Sequence, residues 1–178
     1  MSSSDRRLAR LGPATLLIVA ALALAGCFRP MYASTALPPG APGLSERLAA
    51  VSIDKIEGRV GQQVRNELDF RLTGGAGSAP PRYRLAVEVV TTRTTSIVDA
   101  EDNEPRIDTV TLLGTFALYP VDAQQPVLSD KLYARKSFDR GLQRFAALRA
   151  ARDAENGAAK VLADQIRTRV AMYLAENP

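Results

Sequence analysis

The chain has 178 residues, a formal net charge of +4, one cysteine, and neither histidine nor tryptophan. Without histidine, the chain cannot build a catalytic triad with an imidazole base or the common histidine-ligated zinc site. Half of the excess positive charge lies in the first 26 residues, so the remainder carries only +2 and shows no concentrated basic face of the kind that binds nucleic acid. We predict a non-enzymatic protein with no metal and no cofactor.

Residues 1–26 have the layout of a secretory signal peptide. Arg6, Arg7 and Arg10 form a positive head, and an apolar run follows over residues 14–25. The run is shorter than the roughly twenty apolar residues that a membrane-spanning helix needs. We therefore predict a leader that is removed during export.

The end of the leader, Leu24-Ala25-Gly26-Cys27, resembles the lipobox of bacterial lipoproteins. In that motif the cysteine thiol receives a diacylglycerol and the signal is cut just before it. The alternative is an ordinary signal peptide followed by a stray thiol. The position of the chain's only cysteine at the end of the apolar run favours the lipobox. We predict that Cys27 is the lipid-attachment residue and anchors the protein to a membrane through acyl chains.

Residues 27–48 are rich in proline, alanine, glycine and serine and predict a flexible tether, followed by a single domain over residues 49–178. Val51 and Ile53, two residues apart, predict a first strand within residues 49–56. Apolar residues at helical spacing then predict an amphipathic helix from Val60 that ends near Gly74.

Three runs with alternating apolar residues predict long strands over 83–98, 107–119 and 127–138. The acidic segment between the first two predicts a hairpin turn, because it lacks the ligand spacing of a calcium loop. An apolar stripe that includes Leu148 and Leu162 predicts one long helix over residues 145–175. Glu155 falls in this stripe, where it would need a basic partner such as Arg135 or Arg144 unless it lies at the margin of the sheet.

The predicted order is β-α-β-β-β-α. It favours an α+β fold in which a mostly antiparallel four-stranded sheet carries two helices on one face. The other face of the sheet is then left for water or for a partner.

The chain also resembles a known family. The residues that carry the resemblance are the start Cys27-Phe28-Arg29-Pro30-Met31-Tyr32, the strand-helix-meander-helix order, and the segments 151–156 and 163–169 of the closing helix. They are similar to the lipopolysaccharide-assembly lipoprotein family LptE, in the form met in alphaproteobacteria. The resemblance covers nearly the whole chain after the leader, and Cys27 is the one functional residue that it transfers.

The resemblance implies an outer-membrane lipoprotein, anchored on the periplasmic face, that plugs the β-barrel LptD, assists its folding and binds lipopolysaccharide. Phe28, in place of aspartate after the cysteine, agrees with sorting to the outer membrane. Two alternatives remain open at this point. One is a lipid-binding auxiliary lipoprotein of another envelope transport system of the ABC type, and the other is a periplasmic hydrolase.

Basic side chains are the candidate contacts for the phosphates of such a lipid, because they can form charge-assisted hydrogen bonds with them. Lys131 and Arg135 stand together on the last predicted strand, on the face opposite the core. Further candidates lie beyond the end of that strand or toward the hairpin turn: Arg140, Arg144, Arg93 and Arg106. The alternative is a solvated edge that resists aggregation between strands.

Overall fold

Four described strands form one sheet, and the long ones follow the alternation of apolar residues. They are β1 (Val51–Ile53), β2 (Tyr83–Ser96), β3 (Ile107–Pro120) and β4 (Leu128–Asp139). Their order across the sheet is β1-β2-β3-β4, with β1 parallel to β2 and the other pairs antiparallel. Along β3, buried residues alternate with half-buried ones, as expected for a strand that packs one face on the core.

The computed structural model describes residues 42–96, 107–140 and 143–177, all within the unit Leu37–Pro178. The predicted signal peptide, Cys27 and most of the predicted tether therefore lie outside the described residues. The acidic turn and Arg106 do so as well. The role of Cys27 and the extent of the tether stay predictions.

The described helices are α1 (Leu44–Ala49), α2 (Gly58–Thr73) and α3 (Arg144–Glu176). Apolar side chains of α2 and α3 form one buried cluster with one face of the sheet. This arrangement confirms the predicted α+β fold with two helices packed on one side of a mostly antiparallel sheet. The first strand is shorter than the alternating pattern suggested, because only three of its residues pair with β2.

Helix α1 occupies residues that the sequence assigned to the end of the tether. Leu48 is buried in the core, and the preceding residue, Arg47, lies against the far end of α3. There the Arg47 guanidinium donates a hydrogen bond to the backbone carbonyl of Asn177. Carbonyls at the end of a helix lack partners within the helix, so a buried cation is a favourable cap. The proline-rich composition just upstream hid this helix.

Helix α2 buries the predicted stripe, which includes Val64, Leu68 and Leu72, and it ends at Gly74 in the left-handed conformation. Near the start of α2, the Arg59 guanidinium donates hydrogen bonds to the side chains of Glu155 and Asn156 on α3. Glu155 thus has a basic partner, but not one of the two that the sequence suggested. The reason is that α2 packs beside α3, so that its first turn places Arg59 next to Glu155.

Helix α3 has 33 residues, which corresponds to a length of about 50 Å. Its buried stripe runs from Ala151 to Leu174. The prediction that Leu148 belongs to this stripe is wrong, because Leu148 is 55% exposed and nearby Phe145 is 82% exposed. These first turns of α3 precede Glu155, where α2 begins to cover the helix.

Helix α3 approaches the sheet closely at a glycine. A Cβ built on Gly114 of β3 would lie 2.9 Å from Cδ1 and 3.0 Å from Cδ2 of Leu162. Leu162 is fully buried, so its side chain rests directly on the backbone of β3. A glycine at this point of a strand marks close approach by another element.

Candidate functional site on the open face of the sheet

The side chains that point away from α2 and α3 form what we call the open face of the sheet. They come from alternate residues of β2, β3 and β4, and they are half-buried or exposed, whereas the inward-facing residues of the central strand β3 are buried. The strand registers arrange them in rows of three. The rows are Thr92–Thr111–Arg135, Val90–Leu113–Tyr133 and Glu88–Thr115–Lys131.

Lys131 and Arg135 both lie on the open face, as the sequence predicted. Both are exposed, and among the described residues neither side chain has an ion-pair partner. They are four residues apart on one strand, which corresponds to about 13 Å. The two cations are therefore available to negative groups of a ligand.

Arg93 lies on the opposite side of the sheet from Lys131 and Arg135. Its Nε donates a hydrogen bond to Oδ2 of Asp108 over 2.7 Å, and Nη2 donates to the same oxygen. Its guanidinium carbon also lies 4.9 Å from the centre of the Phe138 ring. The structure thus separates Arg93 from the open face and gives it a structural role, while its predicted contact with phosphate stays a prediction.

Asp108 is a buried carboxylate, 1% exposed, that the sequence analysis overlooked. Burial alone would raise its pKa, but hydrogen bonds from Arg93 and Thr95 and the positive charges of Arg93 and Arg140 outweigh burial and hold the pKa below its ordinary value. Oδ1 has no close hydrogen-bond partner among the described residues. A signal was available, because Asp108 precedes Val110 by two residues and so belongs to the inward-facing set.

We expect Asp108→Asn to lower the free energy of unfolding by about 1–2 kcal/mol at neutral pH. This is the usual contribution of a hydrogen bond between charged groups, reduced because solvent screens Arg93, which is 44% exposed. Since the pKa is lower in the folded state, this contribution is complete above about pH 5. It decreases as the pH falls below about 3.9, through the lower pKa of the folded state. Urea unfolding of both proteins at several pH values measures the difference. A difference that grows on acidification would contradict the assignment.

Arg140 and Arg144 lie where β4 ends and α3 begins. Arg140 is half-buried and contributes to the positive potential at Asp108, whereas Arg144 is exposed at the first turn of α3. Neither is part of the rows around Lys131 and Arg135. The structure therefore brings two of the predicted phosphate contacts together and leaves the other described ones at separate places.

Apart from the open face, a depression of about 390 Å³ lies between α2, β4 and the first half of α3. Its lining includes Lys136 and Lys160, but also the carboxylates of Glu67 and Asp153. The balanced charge makes it a weaker site for an anion than the open face. In the described part of the chain, no three acidic or cysteine side chains are placed to hold a metal ion, and no helix has the length and hydropathy to cross a membrane.

No protein-family model matches the chain, and no curated protein matches it. Solved structures do. A candidate lipoprotein from Caulobacter crescentus CB15 has a TM-score of 0.64 at 21% identity, over 77% of this chain and 98% of its own. For a minor lipoprotein from Acinetobacter baumannii the TM-score is 0.52 at 14% identity, over 69% of this chain and 90% of its own.

The chain shares its fold with these two proteins. Rare lipoprotein B from Shewanella oneidensis has a TM-score of 0.49 at 16% identity, over 71% of this chain and 96% of its own. At such identities the likeness concerns the fold alone, and the ligand must be argued from the residues on the open face.

Proposed function

We propose that this chain is a non-catalytic outer-membrane lipoprotein, anchored through Cys27, that partners and plugs the LptD β-barrel. In this role it aids assembly of the barrel and insertion of lipopolysaccharide at the cell surface. The lipobox supports the anchor, and the resemblance of the sequence to the LptE family supports the partner. The shared fold with the Caulobacter and Acinetobacter structures is compatible with both.

The observation that supports lipopolysaccharide as the ligand is that two cations on the open face have no ion-pair partner among the described residues. Lys131 and Arg135 are exposed, and the residues paired with them on β3 are the uncharged Thr115 and Thr111. Glu88 of β2 is the one acidic residue in these two rows, and it forms no ion pair with Lys131 among the described residues. A cation without an internal partner can form a charge-assisted hydrogen bond with phosphate at no cost in broken ion pairs. Because the described helices α2 and α3 pack on the other side of the sheet, a large amphiphile could lie across this face.

The test is to purify the full-length protein from detergent-solubilised membranes of cells that also produce the LptD barrel of the same organism. We expect a stable complex that carries lipopolysaccharide. In the variant Lys131→Glu/Arg135→Glu we expect the complex to form and the bound lipopolysaccharide to fall about tenfold or more, because two attractive charges become repulsive.

The matched control is Arg149→Glu/Lys160→Glu, which makes the same change of charge at two exposed positions of α3. It should leave lipopolysaccharide binding unchanged. Co-purification with inner-membrane transport components in place of a barrel would overturn the proposal in favour of an ABC-type system. Equal lipopolysaccharide binding by both variants would remove Lys131 and Arg135 from the ligand site.

A further inference from the structure

The centre of the open face is an apolar row between two hydroxyl-bearing rows. Tyr133 is 57% exposed and Val90 is 49% exposed, with half-buried Leu113 between them on β3. Tyr133 lies midway between Lys131 and Arg135 on β4, about 7 Å along the strand from each. The Tyr133 ring thus offers a ligand an exposed aromatic surface between two cations that have no ion-pair partner among the described residues.

Hydroxyl groups surround this ring. Thr115 pairs across the sheet with Lys131, and Thr111 pairs with Arg135. Their side chains form no hydrogen bond with the described residues, unlike Thr109, whose hydroxyl lies 2.8 Å from that of Ser137. Both hydroxyls can donate to and accept from a ligand, because each carries one proton and two lone pairs.

We infer that the open face binds an anionic saccharide, with a sugar ring stacked on Tyr133 and its negative groups held by Lys131 and Arg135. The inference rests on the proposed function, and it names the sugar part of the ligand as what this site binds. The apolar face of a sugar ring suits an aromatic surface, and its hydroxyls suit the two threonines. Because their positions on β4 are about 13 Å apart, the two cations can contact negative groups on different rings of one ligand.

The shape of the surface argues against an acyl chain as the bound part. Sites for apolar ligands are usually concave and bury most of the ligand surface. Here three apolar side chains form one row on a sheet face, and rows of threonine and charged residues, Glu88 among them, limit it on both sides. Such a surface offers contact area for a ring but no enclosure for a hydrocarbon chain.

The experiment uses the absence of tryptophan from the chain, so that Tyr133→Trp in the full-length protein is a single fluorescent reporter. The probes are chemically deacylated lipopolysaccharide, phosphatidylglycerol vesicles and inorganic phosphate. We expect deacylated lipopolysaccharide to shift the emission with saturation. Other variants at this position lack the tryptophan, so their affinity is measured by titration calorimetry. Tyr133→Phe should bind deacylated lipopolysaccharide as the wild type does, and Tyr133→Leu should bind it about 2- to 12-fold more weakly because stacking is lost.

Phe145→Leu is the matched control, because it removes an exposed aromatic ring that lies away from the open face. It should bind the saccharide as the wild type does. The inference is overturned if Tyr133→Leu binds equally well, or if only the vesicles or inorganic phosphate shift the emission. Saccharide binding without a barrel complex would overturn the proposed function alone, and a barrel complex without saccharide binding would overturn the inference alone.

Discussion

Leu162→Ala should lower the free energy of unfolding by about 2–5 kcal/mol, the range for removing a fully buried leucine from a core. Leu162 is fully buried at the centre of α3, where its two methyl groups lie against the backbone of β3 at Gly114. The sheet and the 33-residue helix are both rigid elements, so the cavity would collapse only in part. Urea unfolding of the purified protein followed by circular dichroism gives the difference.

Leu148→Ala is the matched control, since it makes the same change on the same helix at a side chain that is 55% exposed. We expect its effect to stay within about 0.5 kcal/mol. Equal losses for the two variants would contradict the conclusion that packing of Leu162 against the sheet stabilises the protein.

Gly114→Ala should cost about 1–3 kcal/mol, although alanine is otherwise favoured over glycine in a strand. The added Cβ would meet Leu162 at 2.9–3.3 Å, closer than carbon atoms pack. The helix must then move outward or the leucine must leave its preferred rotamer. Thermal and urea unfolding of the single variant measure the cost.

The double variant Gly114→Ala/Leu162→Ala provides an internal check. The new methyl group would partly fill the space left by the leucine, so the combined loss should be smaller than the sum of the two single losses. Gly157→Ala is the control for glycine replacement, because its Cβ would lie at ordinary distances of 3.4–3.8 Å from the Lys136 side chain. In mid-helix it should stabilise the protein by up to about 1 kcal/mol. Additive losses at Gly114 and Leu162 would contradict the proposed contact.

The sequence predicted the strands and long helices because each has one buried face, and burial leaves a period of two or of 3.6 residues in the pattern. It missed α1, since six residues are too few to show a period and the prolines before them indicate a loop. It also placed Leu148 in the core, because helical spacing alone does not show where a covering element such as α2 begins.

Within the candidate site, alternation along β4 was enough to place Lys131 and Arg135 on one face. The partners of Arg93 could not be found in this way, because its contact with Asp108 depends on the register between β2 and β3. The same register creates the row of Val90, Leu113 and Tyr133 from three strands. The pattern along a single strand predicts which side a residue faces. Its neighbours on adjacent strands can be identified only when the register between the strands is known.

The contact of Arg47 with Asn177 determines where the chain enters the domain. It places the first described residues and the end of α3 at the same pole of the molecule. β4 begins at this pole with Leu128, which shares a row with Leu118 and Leu85, where β1 joins the sheet. Tyr133 follows five residues later, about 17 Å from Leu128 along the strand. Any chain that leads into α1 therefore joins the domain at the end of the sheet where β4 begins, at a fixed distance from Tyr133, and a change in the length of the predicted tether should leave the side chains of the open face unaltered.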